Sequence, residues 1–480
     1  MPRLKVLFVV SECVPFAKTG GLGDVAGALP IALAQRGHDV RLVLPRYRSA
    51  ASHPATKLPA PLGVPIGDGE VWCAVWETRL AKSRARVYLL EQNELFDRKG
   101  IYADPGGDYA DNFARFTFLS RGALRLCSYL DFIPDVIHVH DWPTALIPVY
   151  LNSTERGTPL GQAATVLTIH NLGYQGWFDK RELPLSGIGW DQFHAWSLES
   201  FDRINLLKGG IYQSTIVSTV SPTYAVEIQT LEGGHGLDGA LRDRGRDVIG
   251  ILNGIDDKVW DPTASPHLAA HFSADDLRGK AACKAALQRE MRLAERPDVP
   301  LFGIITRLAH QKGIDIFAGA LERLLALDVQ VVLLGSGETW AEELFRNLSR
   351  TSDRFRAHLG MSEPLAHRIE AGSDFFLMPS RYEPCGLNQL YSQRFGTLPI
   401  VRAVGGLEDT VDHLATGYKF TDLSPDALAD AAELAVRIYR TEPERHRQMQ
   451  ILGMKKPMGW EHASRQYEAL YRMAVARRRR

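Results

Sequence analysis

The stretch Lys18-Thr19-Gly20-Gly21-Leu22-Gly23-Asp24 decides how this chain folds. It directly follows an apolar run, residues 4–10, that reads as a buried strand. It directly precedes residues 25–36, which read as a helix. Strand, glycine-rich turn and helix start in succession form an anion site, because backbone N–H groups point outward and the helix dipole favours negative charge. Gly20 and Gly21 allow close backbone approach, and Lys18 adds a point charge. The predicted guest is a phosphate.

The same pattern recurs outward from this turn. Strand-like apolar runs lie at 39–45, 86–91, 135–140, 164–170 and 214–221, with helical patterns such as 112–130 between several of them. Such alternation implies a parallel sheet covered on both faces. It restarts at 301–306, 329–335, 355–360, 374–380 and 398–404, with helical stretches such as 314–327 between. No sequence repeat accompanies this repeated architecture. The predicted fold is α/β, with two doubly wound Rossmann-like domains over residues 1–250 and 251–459. The boundary is set at the turn-rich Gly250-Ile251-Leu252-Asn253-Gly254-Ile255-Asp256. A break at Lys456-Pro457-Met458-Gly459 sets off a last helix within 460–480, expected to pack back on the first domain. Ligands bind at the carboxyl ends of such strands, and two facing sheets create an inter-domain cleft.

Composition narrows the function. A chain of 480 residues exceeds what one core usually supports. Lys+Arg and Asp+Glu are both 56, so the zero net charge argues against nucleic-acid binding; the basic run at 477–480 reads as a solvated tail. Cys13, Cys73, Cys127, Cys283 and Cys385 are scattered without C-x-x-C spacing, so neither disulfides nor a zinc ribbon is indicated and a reducing, cytoplasmic compartment fits. No apolar run is long enough to span a bilayer. A first strand starting near residue 4 leaves no room for a targeting peptide.

Five further polar clusters stand where strands end. In His138-Val139-His140-Asp141-Trp142 the two histidines share a strand face. That spacing suits either a metal or strand-end, substrate-facing histidines, though no third ligand and no H-E-x-x-H is present, and Asp141 sits where catalytic carboxylates often lie. In Thr168-Ile169-His170-Asn171, followed by Tyr174, Gln175 and Gly176, His and Asn can bond hydroxyls while Tyr174 and Trp177 offer flat faces; a satisfied core histidine fits equally. Arg307 and Lys312 place two cations before a helix and suit a diphosphate. In Ser380-Arg381-Tyr382-Glu383-Pro384-Cys385-Gly386-Leu387-Asn388, Glu383 can clamp neutral hydroxyls, and the helix opening at Gly386-Leu387-Asn388 offers N–H donors to a phosphate. Val404-Gly405-Gly406-Leu407 ends the next strand similarly.

Together these residues resemble the bacterial glycogen synthase and plant starch synthase family. The matching pieces are Lys18 to Asp24, His140-Asp141-Trp142, His170-Asn171 with Tyr174-Gln175-Gly176, Lys208-Gly209-Gly210 and Thr219-Val220-Ser221-Pro222. They continue with Asn253-Gly254-Ile255-Asp256, Arg307-Leu308 with Gln311-Lys312-Gly313, Pro379 to Leu387, and Gly405-Gly406-Leu407 with Asp409-Thr410-Val411. Single motifs are weak; the ordered set, spanning nearly the whole chain, is highly specific.

The resemblance implies two Rossmann-like domains facing a deep cleft (GT-B). It implies transfer of glucose from ADP-glucose to the non-reducing 4-OH of an α-1,4-glucan such as glycogen, with retention at the anomeric carbon. Lys18, Gly20 and Gly21 would approach the donor from the first domain; Arg307 and Lys312 would hold its diphosphate and Glu383 its glucose hydroxyls. Asn253, Met361, Cys385, Gly386, Leu387 and Asn388 would complete the donor site, with His170 and Asp141 on the glucose and acceptor side. No cofactor or metal is expected: Arg307, Lys312, Lys18 and backbone donors would stabilise the leaving ADP, and no D-x-D occurs.

Three departures stand out. Met361 replaces an aromatic residue that stacks on adenine in close relatives. Asn388 stands where threonine is common, and Tyr391 removes the second glutamate of E-x₇-E relatives. The alternatives are a related enzyme using UDP-glucose or a small acceptor, an inactive glucan-binding scaffold, and a nucleotide-dependent dehydrogenase. The scaffold predicts lost charges where Lys18, Arg307, Lys312 and Glu383 are all present, and the dehydrogenase lacks G-x-G-x-x-G.

Overall fold

Alternate side chains of the first strand, β1 (Lys5–Val9), enter two different cores. Leu7 and Val9 join Ile137 and Val139 in one, while Val6 and Phe8 join Val136, Val166 and Leu42 in the other. A strand whose side chains alternate between two buried faces must be apolar throughout, which is why these runs read continuously. The structure, a computed structural model, describes residues 2–81, 83–104 and 106–479.

The chain divides into two units, Met1–Gly254 with Trp460–Arg480, and Ile255–Gly459. The division falls at 254/255 rather than after residue 250. The reason is local: the Ile251 N–H bonds the Thr219 carbonyl at 2.8 Å, and the Ile251 side chain is buried in the first unit's core. Asn253 therefore belongs to the first unit.

In the first unit β1 is flanked by β2 (Asp39–Pro45) and further strands: β3 (Gly69–Arg79), β4 (Arg86–Glu91), β5 (Val136–His140), β6 (Ala164–Ile169), β7 (Ile216–Thr219) and β8 (Val248–Gly250). The order is β8-β7-β6-β5-β1-β2-β4, all parallel; β3 then adds antiparallel to β4, with the short strands Thr56–Lys57 and Leu62–Ile66 pairing β3. The antiparallel extension at 56–79 was not legible as strand. Its turn-rich, half-exposed residues lack the continuous apolar runs of the centre.

Helix α1 (Gly21–Gln35) and the C-terminal helix Trp460–Arg478 share one face of this sheet, where Trp460, Ala463, Tyr467, Tyr471 and Ala474 lie in the same core as Val25, Leu29 and Leu33. Polar contacts fasten the pair: Glu468 Oε2 accepts from Arg36 Nε at 2.8 Å, and Glu468 Oε1 from Arg472 at 2.7 Å.

The second unit holds a six-stranded parallel sheet of β9 (Leu301–Ile305), β10 (Gln330–Gly335), β11 (Phe355–Leu359), β12 (Phe375–Met378), β13 (Leu398–Arg402) and β14 (Tyr418–Phe420), in the order β11-β10-β9-β12-β13-β14. All five cysteines are free and buried. No helix among the described residues is long and apolar enough to cross a membrane.

Tyr467, on the buried face of the C-terminal helix, is fully buried. Tyr467→Ala is expected to cost the first unit about 3–5 kcal/mol, the usual price of an aromatic-to-alanine cavity. Urea unfolding followed by fluorescence would register this as an early first transition; an unchanged midpoint would contradict the packing described.

Candidate active site

Beyond β1 the chain passes through Ser11 and Glu12 into the glycine-rich turn. Glu12 is 4% exposed, and its carboxylate is fully engaged. Oε2 accepts the backbone N–H groups of Thr19 (2.6 Å) and Gly20 (2.9 Å), while Oε1 accepts the hydroxyls of Thr19 (2.7 Å) and Tyr102 (2.8 Å). The anion-site expectation needs correcting here: at Thr19 and Gly20 an internal carboxylate already takes the N–H groups. What the turn still offers an anion is the opening of α1. That helix starts at Gly21 rather than near residue 25 and carries no side-chain cap.

Gly20 has extended backbone and open space where a Cβ would stand, so the fold itself does not demand glycine there. Lys18 Nζ sits 2.7 Å from Asp24 Oδ1, with both side chains partly exposed. An exposed pair of this kind contributes at most about 1 kcal/mol, weak enough for a phosphate to displace. Glu12 was overlooked in the sequence; the available signal was a carboxylate directly after a buried strand.

At the ends of β5 and β6 the structure brings Asp141 and His170 together. Asp141 adopts φ 54° and ψ −171°, a region that residues with side chains seldom occupy. Its backbone N–H bonds Thr168 O at 3.0 Å, and its Oδ1 accepts the N–H groups of His170 (2.7 Å) and Asn171 (3.4 Å). The strained carboxylate thus pins the backbone of the histidine loop. Burial pushes the Asp141 carboxyl up to about 7, partly opposed by those two N–H donors.

His138 and His140 do share a face, with rings 4.1 Å apart, but both are fully buried. The substrate-facing reading fails for them because that face is covered by the C-terminal helix, whose Tyr471 hydroxyl lies 2.8 Å from His138 Nδ1. His138 Nε2 lies 2.6 Å from Thr168 Oγ1, and His140 Nδ1 lies 3.0 Å from His170 Nε2. Burial keeps all three imidazoles neutral: His170 is pushed down to about 3, and the other two fall well below the usual histidine range. Among the described residues no group of three His, Cys, Asp or Glu is placed to hold a metal ion. Asn253 is buried, and no hydrogen-bond partner among the described residues reaches its Oδ1.

In the second unit Lys312 and Glu383 meet: Nζ to Oε2 is 2.5 Å, and Ser380 Oγ donates to the same oxygen at 3.0 Å. Glu383 is 5% exposed, and its carbonyl accepts the Gly406 N–H at 3.0 Å. Arg307 is exposed, and among the described residues its guanidinium is held only by Gln311 Oε1 at 3.3 Å. Two glycines fix this geometry. Gly313 has φ 66°, and a Cβ there would fall 1.9 Å from Pro379 O; at Gly406 a Cβ would fall 2.1 Å from Cys385 O. Arg381, overlooked in the sequence, ties the two loops by donating to Gln311 O (2.9 Å), His310 Nε2 (2.7 Å) and Asp315 Oδ2 (2.5 Å).

Other predicted donor residues differ in placement. Cys385 is buried in the turn before Gly386, whose φ is 70°. Asn388 turns its amide nitrogen inward to Ile305 O at 2.7 Å, so that donor is already used within the fold. The helix following Leu387 is short, Asn388–Arg394, with no side-chain cap. Met361 is 92% exposed, its side chain standing in solvent.

Comparison with known proteins places this geometry. Residues 5–243 match the starch synthase catalytic domain family, and residues 289–450 match glycosyl transferases group 1. Glycogen synthase 1 of Geobacter metallireducens is 48% identical over 100% of this chain and 97% of its own length. A glycogen synthase of Anaeromyxobacter dehalogenans is 50% identical over 98% of this chain and 99% of its own. The catalytic domain of starch synthase IV from Arabidopsis thaliana, solved bound to ADP and acarbose, superposes with a TM-score of 0.92 at 34% identity. That match covers 99% of this chain and 100% of the other. Sucrose-phosphate synthase of Thermosynechococcus elongatus, at 17% identity and a TM-score of 0.64, shares the fold alone. With curated relatives matching it end to end, the chain belongs to the glycogen synthase and starch synthase family of GT-B glucosyltransferases.

Proposed function

We propose that this protein transfers glucose from ADP-glucose to the non-reducing 4-OH of an α-1,4-glucan, with retention and without a metal. The observation that carries the donor half is the 2.5 Å pair of Lys312 and Glu383 beside the open guanidinium of Arg307. One cation and one hydroxyl-accepting carboxylate at contact distance match a ligand whose diphosphate and sugar are adjacent. ADP bound to the Arabidopsis starch synthase and the names of the full-length relatives support the same reading.

In this reading Arg307 and Lys312 take the diphosphate, and the charge that grows on departing ADP strengthens those contacts in the transition state. Glu383, freed from Lys312, accepts glucose hydroxyls. The C1–O bond to the β-phosphate breaks first, leaving a cationic sugar. The acceptor 4-OH attacks from the same face and passes its proton to the leaving phosphate oxygen. Asp141 and His170 serve the glucose and acceptor side, the carboxylate stabilising positive charge at the sugar. Met361 replaces a flat ring by a thioether that still packs on an adenine face.

Arg307→Ala and Lys312→Ala are each expected to lower kcat and weaken donor binding together, kcat by roughly 10²–10³-fold. Glu383→Ala should lower mainly kcat. Steady-state kinetics with glycogen and ADP-glucose, run against UDP-glucose, decide both the roles and the donor; wild-type turnover in any variant removes its assigned role. A glucosyl–protein adduct trapped during turnover would overturn the same-face step.

The raised Asp141 carboxyl gives a pH signature. Its ordinary value is 3.8 and its folded value about 7, so the carboxylate form grows in as pH rises from about 6 to 8. If the ionised form assists transfer, kcat rises over that window and Asp141→Asn flattens the profile. His170 is neutral throughout and adds no limb. The linked stability effect has the opposite sense: between about pH 4 and 7 the folded chain holds a proton that the unfolded chain releases, so stability falls as pH rises there.

A further inference from the structure

Outside the groups that the proposed reaction uses, a buried row of side chains runs from the C-terminal helix to His170. His140 is its pivot. Its ring is stacked on Phe8 at 5.7 Å and lies 4.1 Å from His138, itself hydrogen-bonded at both nitrogens by Tyr471 and Thr168. So clamped, His140 has one polar ring contact among the described residues, Nδ1 to His170 Nε2 at 3.0 Å. Its Nε2 is buried with no hydrogen-bond partner among the described residues.

We infer that His140 is a positioning residue that fixes the tautomer of His170, donating from Nδ1–H so that His170 carries its own proton on Nδ1. One nitrogen of the 3.0 Å contact must donate and the other accept. Were His170 the donor, neutral His140 would hold its proton on Nε2, leaving an N–H buried without an acceptor. Orphaned buried N–H groups are rare because they forfeit a full hydrogen bond. With His140 donating, its buried orphan is a bare lone pair rather than an N–H. His170 Nδ1 is not among the buried atoms that lack a partner, and the residue is half-buried. His170 then acts as a fixed donor to a sugar hydroxyl, and free imidazole's usual preference for the Nε2–H form is reversed by one neighbour.

The inference rests on the reading of His170 as a substrate-side residue, but its test separates the two. Histidine-labelled ¹⁵N spectra of the intact protein, with His170 assigned by its loss in His170→Asn, are expected to show a protonated Nδ1 and a bare Nε2. That measurement needs no turnover. His140→Asn keeps an amide N–H near the Nδ1 position, whereas His140→Leu removes the donor. The leucine variant should lower kcat about tenfold, the size of one misdirected hydrogen bond, with little change in donor KM, and shift His170 toward Nε2–H. The asparagine variant should keep kcat within a few-fold and preserve the wild-type His170 signature. Wild-type His170 protonated on Nε2 overturns the inference, as does an asparagine variant as impaired as the leucine one. If the leucine variant fails to fold, the wild-type and asparagine spectra still decide. A wild-type enzyme with the expected spectrum and no glucosyl transfer would defeat the functional reading alone.

Discussion

A parallel sheet buried on both faces leaves polar side chains almost nowhere to stand except beyond the carboxyl ends of its strands. That constraint governs both units. Glu12 and the glycine turn follow β1, Asp141 follows β5, His170 follows β6, Arg307 follows β9, and Glu383 follows β12. His138 and His140 are polar side chains buried within the strands of the first unit's sheet. They lie within β5, and the structure accommodates them with a tyrosine, a threonine and a second histidine as partners.

Within the sites, opposite charges neutralise one another. Lys18 holds Asp24, Lys312 holds Glu383, Arg381 holds Asp315, and Glu12 fills the N–H groups at the head of the turn. A carboxylate as buried as Glu383 would otherwise be left uncompensated.

How much of this was readable beforehand follows from the same constraint. Centre strands were legible because burial on both faces makes them continuously apolar, and their ends marked the polar clusters. The edge was not: residues 56–79 form strands whose half-exposed side chains carry mixed polarity. At the site, residue types were legible but partners were not. Nothing local in Lys18 or Asn388 says that one pairs with Asp24 and the other with the Ile305 carbonyl. Glu12 and Arg381 escaped notice because their work is to hold loops through contacts that only the fold brings within reach. His140 was visible as one of two alternating histidines, while its neighbour at 3.0 Å lies thirty residues further on.

The C-terminal helix has a consequence for how the chain is made. Its tyrosines complete the core that begins with β1 and α1, so the first unit keeps one apolar face uncovered until residues 460–478 leave the ribosome. All of Ile255–Gly459 must be synthesised in between, which at typical elongation speeds takes roughly ten to forty seconds. The second unit is in effect an insertion within the first. During that interval the nascent first unit carries an exposed hydrophobic surface of the kind that chaperones recognise, and a transcript truncated before residue 460 yields a chain that cannot close its own core.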